Sequence, residues 1–229
     1  MKIIDEALKQ NRTALSEYES KLVLASYGLP VTREKLIGTP EELEKAAVEL
    51  GYPLVLKGCS ADLAHKTEKG LIRLDIRNAA EAMAAFEEIM AGMNGSGGGV
   101  LVQQMIRGQR ELVLGLTRDP QFGPCVMFGL GGIFSELQAD VGFALAPLNR
   151  SAALKLIERL GARRLLEGFR GRAPLNKELM AETLVSLGHL GTTNPQIEQI
   201  DINPMAVVDG SPVAVDATVI LKPSSPGLV

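Results

Sequence analysis

The sequence predicts an α+β chain rather than a doubly wound parallel sheet. Three observations lead there. Strand-like and helix-like stretches mix without the regular strand–helix–strand alternation of a parallel sheet. Near the C-terminus, two apolar-alternating runs flank Asp209-Gly210. This is the strongest short-range signal for an antiparallel hairpin, because both turn residues must take positive φ. In the middle, the run Asn94-Gly95-Ser96-Gly97-Gly98-Gly99 is expected to separate two lobes, 1–97 and 98–229.

Taken in order, residues 16–27 read as a helix, with Ser16 and Glu19 as a capping box and Gly28 and Pro30 as its stop. Residues 31–37 read as a short strand. Thr39-Pro40-Glu41-Glu42 then opens a helix with an N-cap, proline at its first position and glutamate at its third, and Gly51 closes it. Strands are expected at 52–57 and 71–76, followed by a helix capped by Asn78 and Glu81 and reaching about residue 91. After the joint come strands near 100–105, 111–116 and 125–128, a Gly-rich turn at 129–132, and helices near 151–160 and 176–188 with a loop at 171–174 between them. The hairpin follows, and the segment 223–227 is expected to be loose.

A chain of 229 residues can bury one large core or two small ones. Its 46% apolar and 22% charged residues are those of a globular protein. A net charge of −3, 4% aromatics and no tryptophan argue against nucleic-acid and anionic-membrane partners. Cys59 and Cys125 are too few and too distant to suggest a disulfide framework or a zinc site, so a reducing cytoplasm is the expected location. Residues 1–6 lack the continuous apolar core of a signal peptide, and no apolar run reaches transmembrane length.

The hairpin also carries chemistry. With Asp209 and Gly210 as its loop, Val208 faces Ser211, Asn203 faces Asp216, and Asp201 lies two residues along on the same face. Opposed side chains have Cβ atoms roughly 4.5–5.5 Å apart, so one amide oxygen and one carboxylate can share a hard cation. Mg²⁺ takes oxygen ligands, usually one or two carboxylates, with phosphate oxygens completing the set. The constellation suggests a Mg²⁺–nucleotide site; the alternative is an ordinary hairpin with polar residues on its wet face. Pro204 complicates the register, because it cannot donate to the ladder.

Elsewhere, Lys57 ends an apolar strand and must either extend to solvent or hold an anion. His65 lies in the polar loop 62–70, where a neutral imidazole is a good nucleophile toward phosphorus and Lys66 and Lys69 can offset phosphate charge; the alternative is a surface histidine. Gln103, Gln104 and Glu111 bracket a strand connection. They form either a cleft edge that reads adenine and ribose or a polar hairpin end. Gly129-Leu130-Gly131-Gly132 is followed by no clear helix start and is not a dinucleotide fingerprint, although glycine there lets backbone approach phosphate. Glu136 beyond it offers another carboxylate, and His189, at the end of an apolar helical segment, reads as structural.

As an ordered set, several segments resemble the ATP-grasp (beta) subunit of ADP-forming acyl-CoA synthetases, relatives of succinyl-CoA synthetase. They are Leu54-Val55-Leu56-Lys57, His65-Lys66-Thr67-Glu68, Asp119-Pro120-Gln121-Phe122-Gly123-Pro124, Phe128-Gly129-Leu130-Gly131-Gly132, Leu145-Ala146-Pro147-Leu148, Asp201-Ile202-Asn203-Pro204 and Val215-Asp216-Ala217. The resemblance spans nearly the whole chain. It implies an ATP-grasp fold, two α+β lobes enclosing a nucleotide cleft, and a reversible reaction of acyl-CoA, ADP and phosphate to carboxylate, CoA and ATP. It also implies a CoA-binding alpha subunit as partner, whose own histidine passes the phosphoryl group on a swinging loop. By the same likeness His65 is the second phosphoryl acceptor, facing ADP/ATP. Lys57 holds nucleotide phosphates, Gln103 lies at the adenine hinge with Met105 beside it among the nucleotide-binding residues, and Glu111 binds the ribose or phosphate edge. Asn203 and Asp216 match the Mg²⁺ ligands, with Asp201 helping through water. Three departures stand out: Glu68-Lys69-Gly70-Leu71 replaces a common Gly-Gly pair, Gln103 stands where acidic residues are frequent, and Asp201 replaces a frequent glutamate. The alternatives are a non-catalytic nucleotide-sensing module and another ATP-grasp carboxylate ligase.

Overall fold

The computed structural model describes residues 1–61, 70–93, 95, 97–108, 110–131, 140–161, 163–168 and 173–223. The chain divides into two compact units. One contains residues 16–18 and 32–106; the other contains residues 1–15, 19–31 and 107–229.

The smaller unit is a four-stranded antiparallel sheet with two helices on one face. Its elements are β1 (Glu34–Ile37), α3 (Pro40–Leu50), β2 (Leu54–Cys59), β3 (Ile72–Ile76), α4 (Ala79–Gly92) and β4 (Gly99–Gln104), with sheet order β1-β4-β2-β3. Both helices start where the sequence expects. The Thr39 side chain accepts from Glu42 N–H at 3.3 Å, and Asn78 accepts from Glu81 N–H at 3.0 Å. Gly51 caps α3 at φ 76°, which only glycine adopts without strain. Leu54, Leu56, Val100 and Val102 pack with Leu43, Ala46, Phe86 and Ile89 to form the core.

The boundary expected at 97/98 falls later. β4 pairs on one edge with β1 and on the other with β2, so the chain leaves this unit only at Ile106. Gly98 and Gly99 are required for close approach rather than for a joint. A Cβ on Gly98 would lie 2.1 Å from the Cys59 carbonyl oxygen, and one on Gly99 2.3 Å from that of Ile37.

The larger unit opens with α1 (Lys2–Lys9) and α2 (Glu17–Ser26), the latter shared in sequence with the smaller unit. Its sheet comprises β5 (Arg110–Asp119), β6 (Gly123–Leu130), β7 (Val141–Leu145), β8 (Ile197–Val208), β9 (Ser211–Ala214) and β10 (Ala217–Leu221). The order is β10-β8-β5-β6-β7, with β9 also on β8. The helices α5 (Arg150–Glu158) and α6 (Lys177–Thr193) cover one face, where Leu156, Leu184 and Leu187 join Leu112, Leu114, Leu116, Val126 and Phe128 in the core.

Two glycine readings change. No turn begins at Gly129: β6 continues to Leu130, and Gly129 pairs with both Val113 and Val141. A Cβ there would lie 2.6 Å from Val141 Cγ1, so this glycine serves close strand packing. Nor does Gly188 end its helix. α6 runs on to Thr193 because Gly188 and Gly191 face the core; a Cβ on Gly191 would meet Leu116 Cδ1 at 2.1 Å. Packing here overrides glycine's low helix propensity.

Candidate functional site

The hairpin forms in the expected register. Asp209 and Gly210 take φ 47° and 83°, and Val208 pairs with Ser211. Met205 pairs with Ala214 on one side of the break, and Ile202 with Ala217 on the other. Between them Asn203 N–H donates to the Asp216 carbonyl at 3.2 Å, which puts Asn203 opposite Asp216. Asp201 pairs with Thr218.

Pro204 does no harm because the ladder is bulged there. Leu112 and Leu114 of β5 pair with Met205 and Ile202 of β8, so Asn203 and Pro204 together oppose Val113. A bulge re-aims side chains and frees its residues from strict pairing. Pro204 needs only to accept, and it does so from Val215 N–H at 3.0 Å.

Ile200 and Ile202 are buried in the core, so Asp201 between them points to the sheet face away from α5 and α6. Glu111 alternates with Leu112, Leu114 and Leu116 in β5, and Gly115, on the same face as Glu111, pairs with Asp201. Glu111 and Asp201 thus belong to one side of this sheet. Asn203 is exposed, and Asp201 and Asp216 are half-buried. Burial holds the Asp201 carboxyl above the usual aspartate range, and the negative charge of Asp216 adds to the shift.

Two like-charged carboxylates beside an amide oxygen are a hard-oxygen donor set that a divalent cation would relieve. No group of three or more His, Cys, Asp or Glu able to hold a metal occurs among the described residues. With two carboxylates and an amide oxygen, the donor chemistry is of the kind Mg²⁺ takes when phosphate and water supply the remaining ligands.

In the smaller unit Lys57 is not at a strand end. β2 continues to Cys59 and is buried at every position, Lys57 included. Lys57 pairs with Leu101 of β4, and Val55 pairs with Gln103. Leu54, Leu56, Val100 and Val102 face the helices, so Val55, Lys57, Leu101 and Gln103 share the opposite face. The sheet thus brings Lys57 and Gln103 to one side. Gln103 is buried within β4 rather than at a hairpin end. Met105 follows the strand, half-buried, with its N–H donating to the Pro53 carbonyl at 3.1 Å. His65 and Glu136 lie outside the described residues.

The ATP-grasp domain family model matches residues 6–221. The chain belongs to the ATP-grasp family. This ATP-grasp chain is 42% identical over 224 residues to the acetate–CoA ligase (ADP-forming) I subunit beta of Pyrococcus furiosus, covering 96% of each protein. A solved Ca. Korarchaeum cryptofilum dinucleotide forming acetyl-coenzyme A synthetase 1, in complex with coenzyme A, Ca-AMPCP and HgCl+, superposes with a TM-score of 0.91. It is 38% identical and is matched over 96% of this chain and 99% of that one. The same enzyme with coenzyme A and Mg-AMPPCP, its phosphohistidine segment pointing towards the nucleotide binding site, superposes with a TM-score of 0.87, at 38% identity and over the same shares of the two chains. Within the family, the chain groups with the beta subunits of ADP-forming acetate–CoA ligases.

Two residues of this ATP-grasp chain escape a sequence reading. Glu17 places Oε1 2.8 Å from Lys57 Nζ, with its side chain fully buried. Lys21, only 1% exposed, donates from Nζ to the Val215 carbonyl at 3.2 Å, next to Asp216. Both lie on the buried stripe of α2, which runs through Glu17, Ser20, Lys21 and Leu24 while Leu22 is exposed. Helical spacing marks that stripe, but its polar identities make it look like the solvent face. Ser20 on the same stripe accepts from Val219 N–H at 3.1 Å. Lys21 and Ser20 thereby fix the backbone on both sides of Asp216.

Proposed function

We propose that this chain is the nucleotide-binding subunit of an ADP-forming acyl-CoA synthetase. It moves a phosphoryl group between a histidine and ADP/ATP during the reversible conversion of acyl-CoA, ADP and phosphate to carboxylate, CoA and ATP. Kinship with the beta subunits over nearly the whole chain supports the reaction, and the Asn203–Asp216 register is the observation in this molecule that carries it.

Each residue has a role in this reading. Asn203 and Asp216 hold Mg²⁺, with Asp201 acting through water; the ion supplies charge neutralisation at the transferring phosphate. Lys57 offers its ammonium to nucleotide phosphate oxygens. Gln103 and Met105 border the adenine, and Glu111 contacts the ribose or phosphate edge. His65 accepts the phosphoryl group: its ring nitrogen bonds to phosphorus as the bond to the donor oxygen breaks, and in the direction of ATP synthesis ADP takes the group from it. Such transfer leaves the protein mainly placement and charge neutralisation to perform. A CoA-binding alpha subunit is the partner, in keeping with the subunit naming of the relatives. No helix among the described residues is long and apolar enough to cross a membrane, and the cytoplasm is the proposed location.

The test is transfer of label from γ-labelled ATP with Mg²⁺ to the purified chain, wild type against His65→Ala, with and without an alpha subunit. Acid-labile, base-stable label that disappears in the variant is the expected result. Absence of label beside an alpha subunit that is active with another beta subunit would leave a nucleotide-sensing module or a direct carboxylate ligase.

A further inference from the structure

We infer that Lys21 is a positioning residue for Asp216, holding the peptide that aims this carboxylate so that a divalent cation meets a ligand already in place. The inference rests on the reading of Asp216 as a Mg²⁺ ligand.

Asp216 lies between strands: β9 ends at Ala214 and β10 begins at Ala217, so neither ladder includes it. Its own carbonyl accepts from Asn203 N–H at 3.2 Å, which orients the peptide after it. The peptide before it carries the Val215 carbonyl, and Lys21 Nζ donates to that oxygen at 3.2 Å. A peptide unit is planar, so turning a carbonyl turns the amide of the next residue with it. The Cα of Asp216 thus stands between two held planes, and the direction of its side chain follows from them.

The helix that carries Lys21 is itself tied to this hairpin. Just before α2, Leu15 N–H donates to the Val219 carbonyl at 3.0 Å; just after it, the Pro30 carbonyl accepts from Ala214 N–H at 2.8 Å. Within the helix the buried Ser20 hydroxyl accepts from Val219 N–H at 3.1 Å. Lys21 therefore reaches Val215 from an element anchored to both β9 and β10. Burying a lysine costs hydration of its ammonium, which oxygen acceptors must replace. An apolar residue would bury there without that cost. What the lysine adds is a donor aimed at the peptide of Asp216.

The test is ADP-dependent binding of Mn²⁺, used in place of Mg²⁺ and read by electron paramagnetic resonance, on the full chain with its alpha subunit. Metal-free ADP affinity is measured beside it. Lys21→Met is expected to weaken Mn²⁺ binding roughly 10-fold or more, the scale on which outer-shell partners of metal ligands act, and to leave metal-free ADP affinity unchanged. On an Asp216→Asn background the same change is expected to cost nothing further. An equal loss of metal-free ADP affinity, or losses that multiply across the two backgrounds, would make Lys21 merely structural and overturn the inference. If Asp216→Asn weakens Mn²⁺ binding while Lys21→Met matches wild type, the inference fails and the metal role of Asp216 stands. If Asp216→Asn leaves Mn²⁺ binding unchanged, that underlying role fails and takes the inference with it. Lys21→Gln keeps an N–H donor on an arm one atom shorter and enters the same cycle should Lys21→Met not fold.

Discussion

In the smaller unit, opposite charges are buried against each other: the Lys57 ammonium meets the Glu17 carboxylate at 2.8 Å. In the larger unit like charges are brought together, and Asp201 feels both burial and the charge of Asp216. A buried ion pair tolerates no loss of one member, because the survivor is then a desolvated, uncompensated charge. A like-charge pair is the reverse, since removing one charge relieves the other. One unit thus buries a cation against a carboxylate, and the other sets a half-buried carboxylate beside a second one.

That contrast can be broken most forcefully at Lys57. Lys57→Met should destabilise the chain by about 3–5 kcal/mol, the usual cost of breaking a buried ion pair by removing one member. Pairing it with Glu17→Leu should recover most of the loss, as read by denaturant unfolding. A Lys57→Met variant as stable as wild type would mean the pair is not buried in solution. Next in size, Asp216→Ala should lower Mg²⁺-dependent phosphoryl transfer roughly 10²-fold or more, as measured by label transfer, while leaving the fold intact. Gly210→Ala should follow, at about 1–3 kcal/mol of stability. Gly210 sits at φ 83°, and a Cβ there would lie 2.6 Å from the Pro174 carbonyl oxygen. Weakened Mg²⁺ binding in the same variant would confirm that the turn holds the register of Asn203 and Asp216.

The C-terminal hairpin was legible in the sequence because its information is local. Asp209-Gly210 dictates the turn, and a period of two dictates every residue that follows. The bulge at Asn203-Pro204 was not legible, because it depends on pairing with Val113 of a strand far away in the sequence. The same holds for the extent of β6 and α6, where glycines at 129, 188 and 191 signal close packing rather than turns or caps. Glu17 and Lys21 were hidden for a different reason. Burial of a charge is decided by a distant partner, and local polarity predicts the opposite. Lys57 was recognised as anomalous within its apolar strand, yet nothing near it in the chain could supply the carboxylate that accounts for it.

The smallest predicted effect is the one that tests the sign of the contrast. Asp201→Asn removes a charge but keeps the shape, and at neutral pH it should raise the melting temperature of the Mg²⁺-free chain by roughly 1–3 °C. The direction follows from the raised carboxyl of Asp201. A folded-state pKa above the unfolded one means the native chain binds a proton more readily, so ionisation costs stability. That cost is fully present above the folded pKa and shrinks as pH falls through it. It is absent below the unfolded value, which lies in the ordinary aspartate range. The advantage of the variant should therefore disappear on acidification. Saturating Mg²⁺ should also narrow or reverse it, because the cation stabilises wild type through the very charges that cost it stability alone. A variant less stable than wild type at neutral pH without Mg²⁺ would show that the Asp201 charge is already compensated in the folded chain, and the two units would then treat charge alike.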